Sequence, residues 1–271
     1  MKKPALTIIL FFFGFSNLFA LENHPVGARS LALSHSFISI SDTWSTFHNQ
    51  AGLAVFESFS AGVFYESKFM IDELSLAAGS IILPVNAGTF GFSFYQFGQG
   101  TFKESKIGLA FAKQLSEKFS AAVQLDYFSQ RLPENSGAFG FATFEVGVIY
   151  SPNKKLFMGV HVFNPISNGL ETSEGKQKSP TIFRVGGHYQ FDEMILVTVE
   201  TQKDLENPFI LKIGIEFSPA KNLALRFGVS GKPVNYTAGI GYSFGKITTD
   251  IGFSYHGNLG VTPSVSIEIK L

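Results

Sequence analysis

The chain has 271 residues with 31 Phe, 27 Gly and no Cys, and its 21 basic residues equal its 21 acidic ones. Charged residues make up 15%, well under the roughly 25% of a soluble domain, and beyond the N-terminus no run reaches the roughly 18–20 apolar residues of a spanning helix. Disulfides and a cysteine-linked lipid anchor are excluded, nucleic acid finds no basic patch, and a membrane β-barrel fits best, with a secreted β-sandwich second.

Residues 1–20, MKKPALTIILFFFGFSNLFA, are patterned as a signal peptide. Lys2 and Lys3 form the positive end, residues 6–15 the apolar core, and Ala20 precedes the cut, although Leu18 is large for the −3 position. Removing those two lysines leaves 19 basic against 21 acidic residues, a net charge near −2. Residues 21–55 then read as a non-barrel hatch segment. A short helix is expected over 27–33, entered from Pro25, and a small strand over 36–40. Asp42 is expected to N-cap a turn through Trp44 and Phe47 that ends at 49–52. The apolar groups of this segment need a place to pack, and the inside of a barrel offers one.

From 56 to 271 the dominant period is two. In 247–256 one face carries Ile247, Thr249, Ile251, Phe253 and Tyr255, and the other Thr248, Asp250, Gly252, Ser254 and His256. Alternation fits any sheet with one wet face. Here the polar face is rich in small residues such as Gly214, Gly228, Gly239 and Gly252, which suits a narrow lumen behind a lipid-facing row. Strands are predicted at 57–66, 74–84, 88–97, 104–114, 118–129, 141–151, 156–163, 181–190, 194–201, 209–217, 223–230, 236–244, 247–256 and 264–271. Those are about fourteen, an even number.

The connections sort by parity. Every second one is tight (84–87, 115–117, 151–155, 191–193, 218–222, 245–246), whereas those between are mostly longer (67–73, 98–103, 130–140, 164–180, 202–208, 231–235, 257–263). Short periplasmic turns alternating with longer outer loops is the outer-membrane pattern, with both termini in the periplasm. The longest loop, 164–180, holds Pro165, Gly169, Gly175 and Pro180 and is expected to be flexible and able to fold over the mouth.

Chemical motifs are sparse. Gly241-Tyr-Ser-Phe-Gly245 matches the G-x-S-x-G nucleophile elbow, but that motif needs a strand–turn–helix and Lys246 leads into another strand. Ser243 therefore reads as an inward strand residue, and because His161, His188 and His256 share the inward parity, none supplies the outer-wall Ser–His set that a barrel phospholipase needs. There is no H-x-x-x-H, no H-x-H and no Cys for a metal. The sequon at Asn235 is a chance match in a bacterial barrel. No enzymatic activity and no cofactor are expected. Glu145, Arg184, Glu200, Lys212, Glu216, Arg226 and Asp250, with Glu268 and Lys270, fall on the polar parity. A solute-selecting pore lining is one reading of them. Because buried charges need partners, an ion-pair network filling the lumen is favoured.

The residues G-A-R-S-L-A-L (27–33) and S-D-T-W-S-T-F-H-N-Q-A-G-L-A (41–54) resemble the start of the PorV/PorQ family of barrels, which is similar to the FadL-type channels. Asn49, Ala51, Gly52 and Leu53 match that family's Asn-Pro-Ala-Gly-Leu hatch motif, with Gln50 in place of the proline. The resemblance implies a fourteen-stranded bacterial outer-membrane barrel with an N-terminal hatch. It also implies an accessory or partner-binding role in type IX secretion or envelope assembly; the alternative is a FadL-like channel for hydrophobic small molecules. Expected partners are outer-membrane lipid, with either secretion-system proteins or hydrophobic small molecules. The channel reading predicts an apolar pocket beside the hatch and a lateral opening at a kinked strand, for which Gly186–Gly187 is a candidate.

Overall fold

A computed structural model describes residues 23–100, 102–131, 138–172, 175–205, 207–231 and 233–271. The expected signal peptide, 1–20, lies outside them. The strands, in chain order, are β1 (Ser60–Ser67), β2 (Ser75–Val85), β3 (Gly88–Phe97), β4 (Lys103–Ser116), β5 (Phe119–Arg131), β6 (Ala138–Tyr150), β7 (Leu156–Phe163), β8 (Gly169–Thr172), β9 (Gly175–Lys178), β10 (Ile182–Gln190), β11 (Ile195–Asp204), β12 (Ile210–Ala220), β13 (Leu223–Ser230), β14 (Asn235–Phe244), β15 (Ile247–His256) and β16 (Gly260–Lys270). Fourteen of them close an antiparallel barrel, β1 pairing with β16 from Ser60↔Lys270 to Glu66↔Ser264. The remaining two, β8 and β9, pair only with each other.

The wall forms because each strand serves two different surroundings. Val63, Ile81, Leu125, Val185, Ile213 and Phe227 are exposed on the outer row. In β15 the outer Ile247, Ile251, Phe253 and Tyr255 are exposed while Asp250 and Gly252 are buried. A continuous apolar exterior with a buried polar interior is stable only where lipid covers the outside. No helix among the described residues is long and apolar enough to cross a membrane; the crossing is made by strands. The interior is not uniformly small and polar. Near the end with the long connections, Tyr95, Phe97, Phe128, Phe141 and Phe163 point inward and form one core with Phe37, Trp44 and Phe47.

Those last three belong to an inner segment that occupies the barrel. It contains α1 (Ala28–Ala32) and two 3-10 helices, Thr43–Phe47 and Gln50–Val55. Asp42 caps the first of these by accepting from the Trp44 N–H at 2.8 Å, and Ser45 returns the bond to the Asp42 N–H at 3.0 Å. The expected strand at 36–40 is absent. Its backbone groups bond to wall side chains instead: Glu200 accepts from the Phe37 and Ile38 N–H groups at 2.9 and 3.1 Å, and Thr198 donates to the Ser36 carbonyl at 2.8 Å. The inward glycines mark where this segment meets the wall. A Cβ on Gly159 would lie 2.5 Å from the Ile38 carbonyl oxygen, and one on Gly252 2.7 Å from that of Ala28. Backbone packs on backbone there, so a side chain has no room.

The described residues of the loop at 164–180, expected to be flexible, are anchored by hydrogen bonds. Asn164 accepts from Thr143 at 2.7 Å and donates to the carbonyls of Asn168 and Ser179 at 3.0 and 2.9 Å. Its β8–β9 ribbon places Leu170, fully buried, in the same core as Phe128, Phe141 and Phe163.

Candidate functional site

The site is the inner segment with the wall groups that hold it. Asn49 caps the second 3-10 helix by accepting from the Ala51 N–H at 3.2 Å. Its amide also donates to the Ile38 carbonyl at 2.8 Å and to the Val148 carbonyl on β6 at 3.1 Å. Gln50 donates to Glu145 at 2.9 Å, an anchor that a proline there lacks. Ala51 and Leu53 are buried against small wall residues, including Ala110 and Ala112, and Gly52 has the Ile40 carbonyl 3.1 Å from where its Cβ would be. The His48 ring donates to backbone: its Nε2 lies 2.8 Å from the Val26 carbonyl oxygen, so Nε2 carries the proton. Burial foremost, and then the Arg184 guanidinium, push this imidazole down to about 3.

The inward charges gather into three groups, each touching the inner segment. In the first, Glu145 pairs with Lys106 and with His161 Nε2 at 2.8 Å, and Lys106 lies 3.3 Å from Asp126. Arg184 donates to His161 Nδ1 at 3.0 Å and to the His48 carbonyl at 2.7 Å. Arginine has only donors, so His161 accepts at Nδ1 and presents Nε2–H to Glu145. In the second, Lys212 donates to Glu200 at 3.0 Å while Glu200 holds the Phe37 and Ile38 N–H groups. In the third, Arg29 of the inner segment makes a two-pronged contact with Glu216 at 2.8 and 2.9 Å and reaches Asp42 at 3.4 Å. Arg226 bridges Glu216 and Asp250 at 2.5 and 2.6 Å. Of the remaining two predicted charges, Glu268 is buried, but Lys270 is half-exposed at the barrel end, 3.3 Å from Glu268.

Two openings flank the inner segment. At the long-connection end, a pocket of about 270 Å3 lies between His24, Pro25, Leu31 and His35 of the inner segment and Glu66, Lys68, Leu76, Asn235, Ser254, His256 and Thr262 of the wall. On the outer surface, a groove of about 520 Å3 is lined by Ala61, Val63, Gly79, Ile81, Phe92, Phe94 and Ile267. Behind it the wall is thin, because Gly62 has no side chain and its missing Cβ would meet the Trp44 ring at 2.9 Å. The lateral opening expected at Gly186–Gly187 is not there: both residues pair in unbroken register with β7 and β11. Ser243 sits in β14, its Oγ 3.0 Å from Thr248 Oγ1, and β15 follows without a helix.

Sequence reasoning missed Lys106, Asp126, Glu66 and Arg29 as lumen charges. Lys106 was visible, since Glu104, Lys106, Gly108 and Ala110 alternate with the outward Ile107, Leu109 and Phe111, and so was Asp126, between the outward Leu125 and Tyr127. No protein-family model and no curated protein sequence matches the chain. Solved structures do. The toluene transporter TodX of P. putida matches over 94% of this chain and 99% of its own, at 14% identity and a TM-score of 0.67. A TodX deltaS2S3 mutant, a monoaromatic hydrocarbon channel, matches over 90% and 98% at 13% identity and 0.66. A FadL homologue of Pseudomonas aeruginosa matches over 86% and 95% at 12% identity and 0.58. The chain therefore has the fold of FadL-like outer-membrane barrels.

Proposed function

We propose that the protein is a bacterial outer-membrane channel that passes small hydrophobic molecules and is closed at rest by residues 23–55. The observation that carries this reading is the inner segment itself. It occupies the lumen, yet it leaves the mouth pocket on one side and, through the thin wall at Gly62, backs onto the apolar outer groove on another. The shared fold with channels described as carrying toluene or monoaromatic hydrocarbons supports it. Residues 49–53 act here as a hatch motif that fixes the inner segment, and the buried charges act as its anchors rather than as a selectivity lining. Ser243 has a structural role and the protein is not an enzyme.

Proteoliposomes carrying the full chain should take up toluene faster than protein-free vesicles while remaining closed to a sugar of similar mass. Equal toluene rates with and without protein would remove the reading. The second reading, a partner in type IX secretion or envelope assembly, rests on the resemblance of 27–33 and 41–54, and the filled lumen favours it. It requires that the barrel carry no small molecule and co-purify with a secretion or cargo protein.

A further inference from the structure

Among the described residues, the mouth pocket contains a buried carboxylate without a hydrogen-bond donor. Glu66, at the end of β1, is 3% exposed and lines the pocket, but its carboxylate makes no hydrogen bond or ion pair among the described residues. The other polar groups around it are engaged. His24 pairs with Glu104 at 3.1 Å, and His35 Nδ1 lies 3.1 Å from Ser30 Oγ. Ser254 donates to Asn235 at 3.1 Å, Thr262 accepts from the Phe69 N–H at 3.0 Å, and His256 accepts from the Asn258 and Leu259 N–H groups at 3.3 Å. Lys68, the lining cation, sits over the Phe97 ring at 5.3 Å and acts on Glu66 through its charge alone, with no hydrogen bond between them. The rest of the lining is apolar: Pro25, Leu31, Phe69 and Leu76.

A buried carboxylate with no hydrogen-bond donor is costly, and the cost is reduced by whatever donates to it. At about 270 Å3 the pocket is smaller than the roughly 300–1,000 Å3 of sites for drug-sized ligands. We infer that the mouth pocket binds a small amphiphile whose apolar body rests on Leu31, Phe69 and Leu76 and whose protonated amine donates to Glu66. This deepens the channel reading and rests on it: the pocket is then the entry station, and it favours amine-headed molecules over bare hydrocarbons. The favoured chemistry follows from the site, since a charged hydrogen bond in a water-poor pocket is stronger than apolar contact of the same size.

The test is binding to the purified full chain in mild detergent, with benzylamine and toluene as size-matched probes followed by calorimetry. Benzylamine should bind roughly tenfold more tightly than toluene, the ratio expected of one charge-assisted hydrogen bond. Glu66→Leu should abolish that preference and leave toluene binding in place; Glu66→Gln, which keeps the shape and loses the charge, should also lower benzylamine affinity. Equal or weaker binding of benzylamine in the unmodified protein would overturn the proposal without any variant being needed. So would an unchanged preference in Glu66→Leu, once heat-modifiable gel migration shows that the variant barrel is folded. Failure of the channel reading is distinguishable: toluene uptake by proteoliposomes would be absent while the Glu66-dependent binding of benzylamine persisted.

Discussion

The inner segment is held on its two sides by different physics. In the cluster on β4, β5, β6 and β10, the wall charges balance one another, Lys106 and Arg184 against Asp126 and Glu145. To that cluster the inner segment adds only neutral groups, the amides of Asn49 and Gln50 and the His48 carbonyl, while elsewhere on β4 its His24 pairs with Glu104. On the side of β12, β13 and β15, the wall offers two carboxylates, Glu216 and Asp250, to one cation, Arg226. Arg29 supplies the second cation from the inner segment. One side is therefore fastened by shape and neutral donors, and the other by charge. Losing a neutral donor leaves a balanced cluster behind, whereas losing Arg29 leaves an uncompensated carboxylate in the lumen.

Arg29→Met should break this comparison most strongly. Removing one partner of a buried pair costs about 3–5 kcal/mol, and the partial exposure of Arg29 places it at the low end. Hydrogen exchange over 23–55 should rise while the wall strands stay protected; unchanged exchange would show that charge does not hold the segment. Gly147→Ala comes next. Its Cβ would fall 2.0 Å from Asn49 Oδ1, forcing Asn49 off the Ile38 and Val148 carbonyls. Overpacking of this kind costs about 1–3 kcal/mol, read as earlier proteolysis within 23–55, and a protease-resistance curve identical to the parent would contradict it.

Gln50→Pro should be milder. Proline is tolerated at the first helical position after the Asn49 cap, so only the side-chain bonds to Glu145 and to the Thr46 carbonyl are lost. Glu145 keeps Lys106 and His161, which limits the cost to about 1.5 kcal/mol. A loss as large as that of Arg29→Met would erase the distinction between the two sides. The last expected effect is that of pH. His48 is neutral when enclosed, with its value lowered to about 3 from 6.5. Between those values the released segment binds the extra proton, so the hold is complete above about 6.5 and weakens as pH falls toward 3. His48→Asn, keeping a donor for the Val26 carbonyl, should lessen that dependence in the same exchange measurement, with the enclosed His35 supplying the remainder.

The wall was legible in the sequence because a strand between lipid and lumen must alternate, and Ile251, Gly252 and Phe253 show that rule residue by residue. Loop parity was legible for the same reason, since only one end carries long connections. The inner segment was legible where its signals are local, as in the Asp42 cap. It was misread at 36–40, where the partner is a side chain 162 residues away in sequence, Glu200. Arg29 was seen as part of a motif, but its role depends on Glu216, 187 residues distant. Alternation also hid Glu66, which by parity looks like any other inward residue; only the surrounding geometry shows that nothing pairs with it.

The most direct test of a channel closed by its inner segment is the rate of toluene entry into proteoliposomes bearing either the unmodified chain or Arg29→Met. The unmodified protein should exceed protein-free vesicles, and Arg29→Met, whose segment is loosened, should exceed the unmodified protein. Entry no faster than through bare lipid for both proteins would contradict the central claim.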